Sequence, residues 1–177
     1  LLDAWCALHT GHTYDAEGAW GARGTVDQPL LQALLVSPYF TQLPPKSTGR
    51  ETFNLAWLQD ILAQQTYAIS ACDVQATLTA LTALTLAEAV RHSHAQRVLV
   101  CGGGVQNGFL MQHLQAALPT MPVQSTAQHG LDAQDVEAAA FAWLAWLRLR
   151  GETGNIASVT GAARTAVLGG LYAGSTA

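Results

Sequence analysis

The chain has 177 residues, a length that suits one domain with a substantial hydrophobic core. Half of these residues are hydrophobic and 11% are charged, a composition that excludes an intrinsically disordered chain. The formal net charge of −4 argues against nucleic acid as the main partner, and no apolar stretch approaches the length of a membrane span.

The first third of the chain is predicted to be helical. A helix over residues 1–9 ends at Gly11, because apolar residues recur there at helical spacing and a glycine follows them. A second helix has Pro29 near its start and stops before Pro38. A third helix covers residues 54–63.

A long loop without apolar periodicity, TQLPPKSTGRETFN, separates the second helix from the third. Charged and hydroxyl side chains crowd one run of this loop, which contains Lys46, Ser47, Thr48, Gly49 and Arg50. Basic side chains in such a run can bind phosphate or carboxylate groups. The alternative is a solvated loop in which Arg50 pairs with the neighbouring Glu51.

The strongest helix signal covers residues 73–92, where Asp73 is the predicted N-cap of an apolar stripe. A buried strand is predicted at residues 98–101, and a helix at residues 107–118 ends before Pro119. Three successive glycines lie between this strand and this helix.

The last third of the chain begins with a second short strand at residues 121–125. A helix over residues 132–150 follows, with Asp132 as its predicted cap and Gly151 at its end. The stretch AVLGGLY predicts a short helix or a strand. The order of helices and strands predicts an α/β fold with parallel pairing around the glycine turn.

The glycine turn, Gly102-Gly103-Gly104, is a candidate site for an anion or a nucleotide. Free backbone N–H groups and the positive end of the helix dipole would face a ligand there, with Asn107 capping the helix or contacting the ligand. The alternative is a tight strand-to-helix turn without a ligand. The spacing excludes a Walker motif, and the next strand ends in QST, without the acidic residue of a dinucleotide or methyltransferase site.

Glu137 lies near the start of the last long helix, with Phe141 and Leu144 one and two turns later. Two interpretations remain open: a partly exposed carboxylate that serves the helix dipole, or a carboxylate at a cleft wall that binds a polar ligand. The aromatic stripe of Phe141, Trp143 and Trp146 is predicted to be core.

The histidines and cysteines predict no metal site and no disulfide. His9, His12 and Asp15 have a spacing found among metal ligands, but the set crosses a helix end and no fourth ligand is evident. The three widely spaced cysteines are predicted to be buried free thiols in a reducing cytoplasm: Cys6, Cys72 and Cys101.

Taken in order, several stretches resemble the C-terminal half of the anhydro-N-acetylmuramic acid kinase family, over nearly the whole chain. They are DAW, SPYFTQLPPKSTGRETFN, DVQATLTALTALTLAEAV, VLVCGGGVQNGFLM, DAQDVEAAAFAWLAW and GNIASVTGAARTAVLGGLY. The motifs PPKSTGRETFN and EAAAFAWLAW are specific, whereas the glycine turn is shared by the wider superfamily of sugar kinases, Hsp70 and actin.

The resemblance implies the C-terminal lobe of a two-lobed, actin-like and ribonuclease H-like ATPase fold, with a parallel-containing sheet flanked by helices. Residues 1–72 would form a helical region with a signature loop, and residues 73–177 the nucleotide-side α/β core. The N-terminal lobe would be absent. The catalytic aspartate of an Asp-Thr-Gly-Pro-x-Asn motif would lie upstream of Leu1, so this chain is expected to be inactive alone and to form a homodimer when full length.

The resemblance also implies a reaction. Such enzymes use ATP and Mg²⁺ to phosphorylate anhydro-N-acetylmuramic acid with hydrolytic ring opening, giving N-acetylmuramic acid 6-phosphate during cytoplasmic peptidoglycan recycling. Gly102, Gly103, Gly104 and Asn107 would contact ATP, Glu137 would contact the sugar, and the run from Lys46 to Arg50 has no assigned role. The alternatives are another sugar kinase or ATPase of the superfamily, and a non-catalytic ATP-binding or interaction module.

Overall fold

The structure, a computed structural model, describes residues 1–172 and 174. The predicted core over residues 73–177 therefore ends in a few residues outside the described part. The helices and strands are α1 (Leu2–Thr10), α2 (Gln28–Leu35), α3 (Pro38–Thr41), α4 (Leu55–Leu62), α5 (Ala71–His92), β1 (Val98–Val100), α6 (Gly108–Ala117), β2 (Val123–Ser125), α7 (Val136–Arg150) and α8 (Ala157–Thr160).

The two strands form a parallel pair, with Val98 opposite Val123 and Val100 opposite Ser125. The prediction of an α/β fold with parallel strands around the glycine turn is therefore confirmed. The prediction that the first strand is buried was wrong, because Leu99 at its centre is 43% exposed. The assignment to one lobe of an actin-like ATPase remains a prediction.

The main core lies around the first half of α5. Leu78 of α5 packs there with Leu30 and Leu34 of α2 and Leu58 of α4, and each of these side chains is at most 2% exposed. Full burial of such a side chain contributes roughly 1.5–3 kcal/mol to folding. The core therefore holds α5 as the central helix of the molecule.

The predicted N-cap of α5 was wrong by one turn. The helix begins at Ala71, and the Ser70 hydroxyl accepts a hydrogen bond from the N–H of Asp73 over 3.1 Å. Asp73 lies inside the first turn, where its carboxylate accepts the Thr25 N–H and the Ser70 hydroxyl. Both residue types cap helices well, and only the observed contacts show which of them does so here.

A smaller core joins the second half of α5 to α6 and the strands. Ala83 and Ala87 of α5 pack against Leu110 and Leu114 of α6, and the valines of β1 and β2 border this cluster. The small alanines let α6 approach α5 closely. This packing fixes the start of α6, and with it the glycine turn, against the body of the protein.

The predictions for the last helix were partly wrong. It begins at Val136 rather than at residue 132, because the Asp132 carboxylate accepts the Gln134 N–H and closes a separate turn. Its aromatic stripe was predicted to be core, yet Phe141 is 72% exposed. The other two members are Trp143 at 54% and Trp146 at 50%.

The reason for this exposure is that only one side of α7 has a neighbour in the described part of the chain. Leu147 is the buried residue of the helix, and Leu144 lies beside Gly154 and Leu168 of the following segment. The stretch AVLGGLY, predicted as a short helix or a strand, forms neither.

The cysteines are free, as predicted, but they are not all buried. Cys6 is buried, Cys72 is partly buried and Cys101, directly after β1, is exposed. Within the described residues, the helices are too short or too polar to cross a lipid bilayer.

Candidate functional site

Within the glycine turn, the backbone conformation requires a glycine only at the first of the three positions. Gly102 has φ 74° and ψ −172°, a combination that residues with a Cβ atom rarely adopt. Residues Gly103–Gln106 then form a 3₁₀ turn, and α6 begins at Gly108. The Asn107 side chain accepts the Leu110 N–H over 2.9 Å, so the predicted cap of this helix is confirmed.

The other two glycines are not required by packing within the described residues. A Cβ atom added to Gly103 would meet nothing within 4 Å, and one added to Gly104 would touch only Leu110 at 3.6 Å. A tight turn packed under other atoms would show closer neighbours. The main chain at Gly103 and Gly104 is therefore uncovered, with room for a ligand to approach it.

This uncovered turn forms one wall of an open cavity of about 1460 Å³. Its lining also includes the apolar Leu78 and Leu81 of α5 and the acidic Asp15 and Glu17. The volume exceeds that of a typical site for one small molecule, so a nucleotide would leave space for further groups.

The two acidic residues belong to a loop over residues 15–21, which we call the Asp15 loop. The Asp15 carboxylate is buried and accepts the N–H groups of Trp20 and Gly21, both over 2.8 Å. Sequence reasoning considered Asp15 only as a metal ligand and missed this role. The glycines at positions 18, 21 and 24 recur every three residues, a signal of tight packing that could have found the loop.

Glu137 lies outside the lining of the cavity, although the segment before it reaches the glycine turn. The Gly102 N–H donates to the Ala133 carbonyl over 2.7 Å, and Gln134 lines the cavity. Glu137 follows in the exposed first turn of α7. The structure thus brings the start of α7 beside the turn, and the role of the Glu137 carboxylate remains a prediction.

The loop containing Lys46 does not line the cavity. The Lys46 ammonium donates to the carbonyls of Tyr39 and Phe40 over 3.0 and 3.1 Å, and it lies 4.8 Å from the centre of the Tyr39 ring. These contacts satisfy carbonyl groups of the short helix α3. Lys46 therefore has a local structural role. In the part of the chain that the structure describes, Arg50 and Glu51 form no ion pair.

The charged side chains on the cavity wall are acidic: among the described residues, the lining contains Asp3, Asp15 and Glu17 and neither lysine nor arginine. His113 lies one turn beyond the lining residue Phe109, with the centres of the two rings 4.5 Å apart, and burial lowers the pKa of its imidazole. A phosphate in this cavity would therefore depend on main-chain N–H groups or on a cation. Among the described residues, no three His, Cys, Asp or Glu side chains are grouped as metal ligands.

Comparison with known proteins identifies relatives of this chain. The sequence model of the anhydro-N-acetylmuramic acid kinase family matches residues 1–174. The anhydro-N-acetylmuramic acid kinase of Xanthomonas campestris pv. campestris (strain 8004) is 52% identical over 174 residues, which are 97% of this chain and 46% of that protein. The kinase of the same name from Psychrobacter arcticus is 52% identical over 178 residues, covering 96% of this chain and 41% of that protein.

A third relative of that name, from Cupriavidus pinatubonensis, is 51% identical over 175 residues, which are 97% of this chain and 47% of that protein. The chain therefore spans less than half the length of the curated relatives it matches. The family match extends over both cores, the glycine turn and the loop containing Lys46. From this match we conclude that the chain belongs to the anhydro-N-acetylmuramic acid kinase family.

Proposed function

We propose that this chain supplies the ATP-binding part of a sugar kinase that phosphorylates anhydro-N-acetylmuramic acid. The product would be N-acetylmuramic acid 6-phosphate, formed with hydrolytic opening of the anhydro ring during cytoplasmic peptidoglycan recycling. Membership of the family supports the reaction. The observation that supports the site is the uncovered main chain of the glycine turn on the wall of a large cavity.

In this proposal the nucleotide lies along the glycine turn. Gly102, Gly103 and Gly104 admit the adenosine part because a Cβ atom would meet nothing within 4 Å at the first two and only Leu110, at 3.6 Å, at the third. The first N–H groups of α6, at Gly108 and Phe109, have no partner within the helix and carry the positive end of its dipole. Asn107 holds the start of that helix in place.

Mg²⁺ would enter with the phosphates of ATP. This ion is commonly held by one or two carboxylates together with substrate phosphates, rather than by a complete protein cage. The exposed carboxylates of Asp3 and Glu17 on the cavity wall fit that mode of binding, whereas both oxygens of Asp15 already accept backbone N–H groups. When bound, the metal would neutralise charge on the transferred phosphate.

Glu137 is proposed to bind the sugar. Its support is that the segment before α7 contacts Gly102, so that a sugar held there would lie near the nucleotide. Glu137→Gln keeps the shape of the side chain and removes its charge. In the complete kinase we expect the KM for the sugar to rise about tenfold or more, since a hydrogen bond to a charged group is worth about 1.5–3 kcal/mol. An unchanged KM and kcat would show that Glu137 does not bind the sugar and only interacts with the helix dipole.

The catalytic base is proposed to lie in the part of the relatives that this chain does not match. A general base must be within hydrogen-bond reach of the proton it takes, and phosphoryl transfer depends on exact positioning. Asp3 lies downstream of the expected base and is not assigned this role. We therefore expect the 177-residue chain alone to show little or no phosphoryl transfer.

The exposed apolar face of α7 indicates that another protein segment packs against this chain. Phe141, Trp143, Trp146 and Leu149 are each at least half exposed, which is unusual for large apolar residues on one helix. The relatives contain more than half of their length outside the matched region. We propose that the N-terminal half of the kinase covers this face. A second copy of the chain is the competing occupant, and the homodimer implied by the resemblance remains a prediction.

The central experiment measures ATP binding by calorimetry for the complete kinase and its Gly103→Val variant. The φ of Gly103 is not left-handed and its Cβ position is open, so valine should leave the fold intact and obstruct only the ligand. We expect ATP affinity to fall at least tenfold, with a smaller loss for Gly103→Ala. Equal affinity in all three proteins would show that the glycine turn does not bind nucleotide.

A second experiment tests whether the chain alone is catalytically active. The chain alone and the complete kinase are each assayed for ATP-dependent phosphorylation of anhydro-N-acetylmuramic acid, and sedimentation reports the size of each. Robust turnover by the chain alone would contradict the proposed missing base. A stable dimer of the chain that persists in the complete kinase, with the α7 face buried, would favour the second copy as occupant.

A further inference from the structure

The Asp15 loop contacts the glycine turn through a residue without a side chain. Gly18 lies directly against the cap of α6: a Cβ atom built on it would overlap the Asn107 Oδ1 atom and lie 2.7 Å from the Phe109 Cβ atom. Separations this short do not occur in folded proteins. Only glycine therefore allows the loop and the start of α6 to approach this closely.

The backbone of the loop is adapted to this contact. Glu17 has φ 56° and Gly18 has φ 72°, so two successive residues adopt left-handed conformations. For Glu17, which has a Cβ atom, this conformation is uncommon and costs free energy, so the surrounding structure must impose it. The buried Asp15 carboxylate does so by accepting two N–H groups from the far end of the loop.

The contact involves the groups that form the proposed nucleotide site. Asn107 caps α6 through its bond to the Leu110 N–H, and the Glu17 carbonyl lies 3.6 Å from the Cβ position of Gly108. Asp15, Glu17 and the glycine turn also line the same cavity. The Asp15 loop is thus the neighbour that fixes the position of the Asn107 side chain.

We propose that Gly18 is a positioning residue for the nucleotide site, a role that rests on the proposed function. Its bare Cα lets the Asp15 loop press against Asn107, and this contact sets where α6 begins relative to the glycine turn. A side chain at position 18 displaces the Asn107 cap and the first N–H groups of α6. ATP binding then weakens although residue 18 does not contact ATP.

The test compares Gly18→Ala with Gly11→Ala in the complete kinase. Gly11 is the matched control because it has φ 75°, and a Cβ atom there would meet nothing within 4 Å. Both variants carry the cost of a left-handed alanine, but only Gly18→Ala clashes with Asn107. We expect Gly18→Ala to raise the KM for ATP about tenfold, because a displacement of the α6 N–H groups by less than an ångström is enough for such an effect. The KM for the sugar should change less than twofold. Gly11→Ala should leave both values within twofold.

A second readout does not depend on ATP. Hydrogen exchange of the Leu110 N–H, which donates to Asn107, should be faster in Gly18→Ala than in Gly11→Ala. The double variant with Asn107→Gly removes the overlapping side chain and retains a residue that is tolerated at a helix N-cap. In that background Gly18→Ala should cost less ATP affinity than in the parent protein.

If Gly18→Ala does not fold, the same comparison uses Asp15→Asn against Asp27→Asn. Both residues accept backbone N–H groups, Asp27 from Leu30 at the start of α2, but only Asp15 belongs to the loop. Asp15→Asn should raise the KM for ATP and Asp27→Asn should not.

The proposal is overturned if the members of a pair behave alike in ATP affinity and in Leu110 exchange. A parent kinase that binds no ATP would instead refute the proposed function, and the exchange result would still decide the role of Gly18.

Discussion

Helices α5 and α7 show that apolar composition and burial are separate properties. Helix α5 contains four threonines, yet nearly all of its first ten residues after Asp73 are buried. Helix α7 contains two tryptophans and a phenylalanine, yet Leu147 is its buried residue. The more aromatic of the two helices is therefore the more exposed one.

The threonines of α5 explain how a partly polar helix can be buried. Each hydroxyl donates to the carbonyl one turn earlier, for example Thr77 to Asp73 over 2.7 Å and Thr79 to Gln75 over 3.0 Å. The hydroxyl groups are thus satisfied within the helix, and the methyl groups remain for packing. Helix α7 needs no such device, but its aromatic face has no neighbour to pack against in the described part of the chain.

The largest expected effect sharpens this contrast. Leu78→Ala should lower the free energy of unfolding by about 2–5 kcal/mol, because Leu78 is 2% exposed and its removal leaves a cavity in the main core. The matched control is Leu149→Ala on α7, where the leucine is 70% exposed and we expect a change within about 0.5 kcal/mol. Urea unfolding of the chain measures both. Similar values would show that α7 is packed in solution.

The next effect tests whether the exposed face of α7 belongs to an interface. Phe141→Ala should change the free energy of unfolding of the 177-residue chain by less than about 0.5 kcal/mol, since the ring is 72% exposed. In the complete kinase we expect the same substitution to cost about 3 kcal/mol, the value for a buried phenylalanine. Equal, small costs in both proteins would leave the face uncovered and contradict our proposed occupant.

A smaller effect concerns the start of α5. Ser70→Ala removes the acceptor of the Asp73 N–H and should cost about 1 kcal/mol of stability. The parallel change at α7, Asp135→Ala, should cost less, because the Asp135 side chain makes no capping hydrogen bond. The two denaturation midpoints give the comparison directly. A larger loss at α7 would show that its N-cap is formed in solution.

The smallest effect is a pH dependence at the same helix start. The Ser70 hydroxyl, and then the Thr25 N–H, lower the pKa of the Asp73 carboxyl by donating hydrogen bonds to its charged form. This contribution to stability is fully present above the unfolded pKa of about 3.9 and is lost as the pH falls through the lower pKa of the folded state. Asp73→Asn should therefore flatten the decline of stability with acid, and Asp60→Asn, an exposed change on α4 that leaves the Ser70 and Thr25 contacts in place, is the control variant. Identical acid profiles for both variants would contradict the assigned contacts.

Local sequence signals predicted most of the secondary structure correctly. Gly11 ends α1 in a left-handed conformation, Pro29 lies in the first turn of α2, and Asn107 caps α6. These signals depend on residues within a few positions of each other, so they can be interpreted without knowledge of the fold. The error at Asp73 arose because Ser70 offers an equally good cap nearby.

Such local signals revealed only one part of the candidate site, the glycine turn. The glycine turn stands out because three adjacent glycines between a strand and a helix are rare. The Asp15 loop does not stand out, because its contact with Asn107 joins positions about ninety residues apart, a separation that no local pattern reports. The loop containing Lys46 shows the reverse case. Its run of charged residues is conspicuous in the sequence, yet its lysine donates hydrogen bonds to nearby carbonyl groups.

The sequence by itself determined most of the longer helices, the two strands, the position of the glycine turn and the family, since each depends on residue order and local backbone preferences. Only the tertiary structure decided that Gly18 lies against Asn107, that α5 is the central helix and that the aromatic face of α7 is exposed. These features depend on which distant surfaces meet. Close packing makes that choice through the fit of whole surfaces, which short-range sequence patterns do not contain.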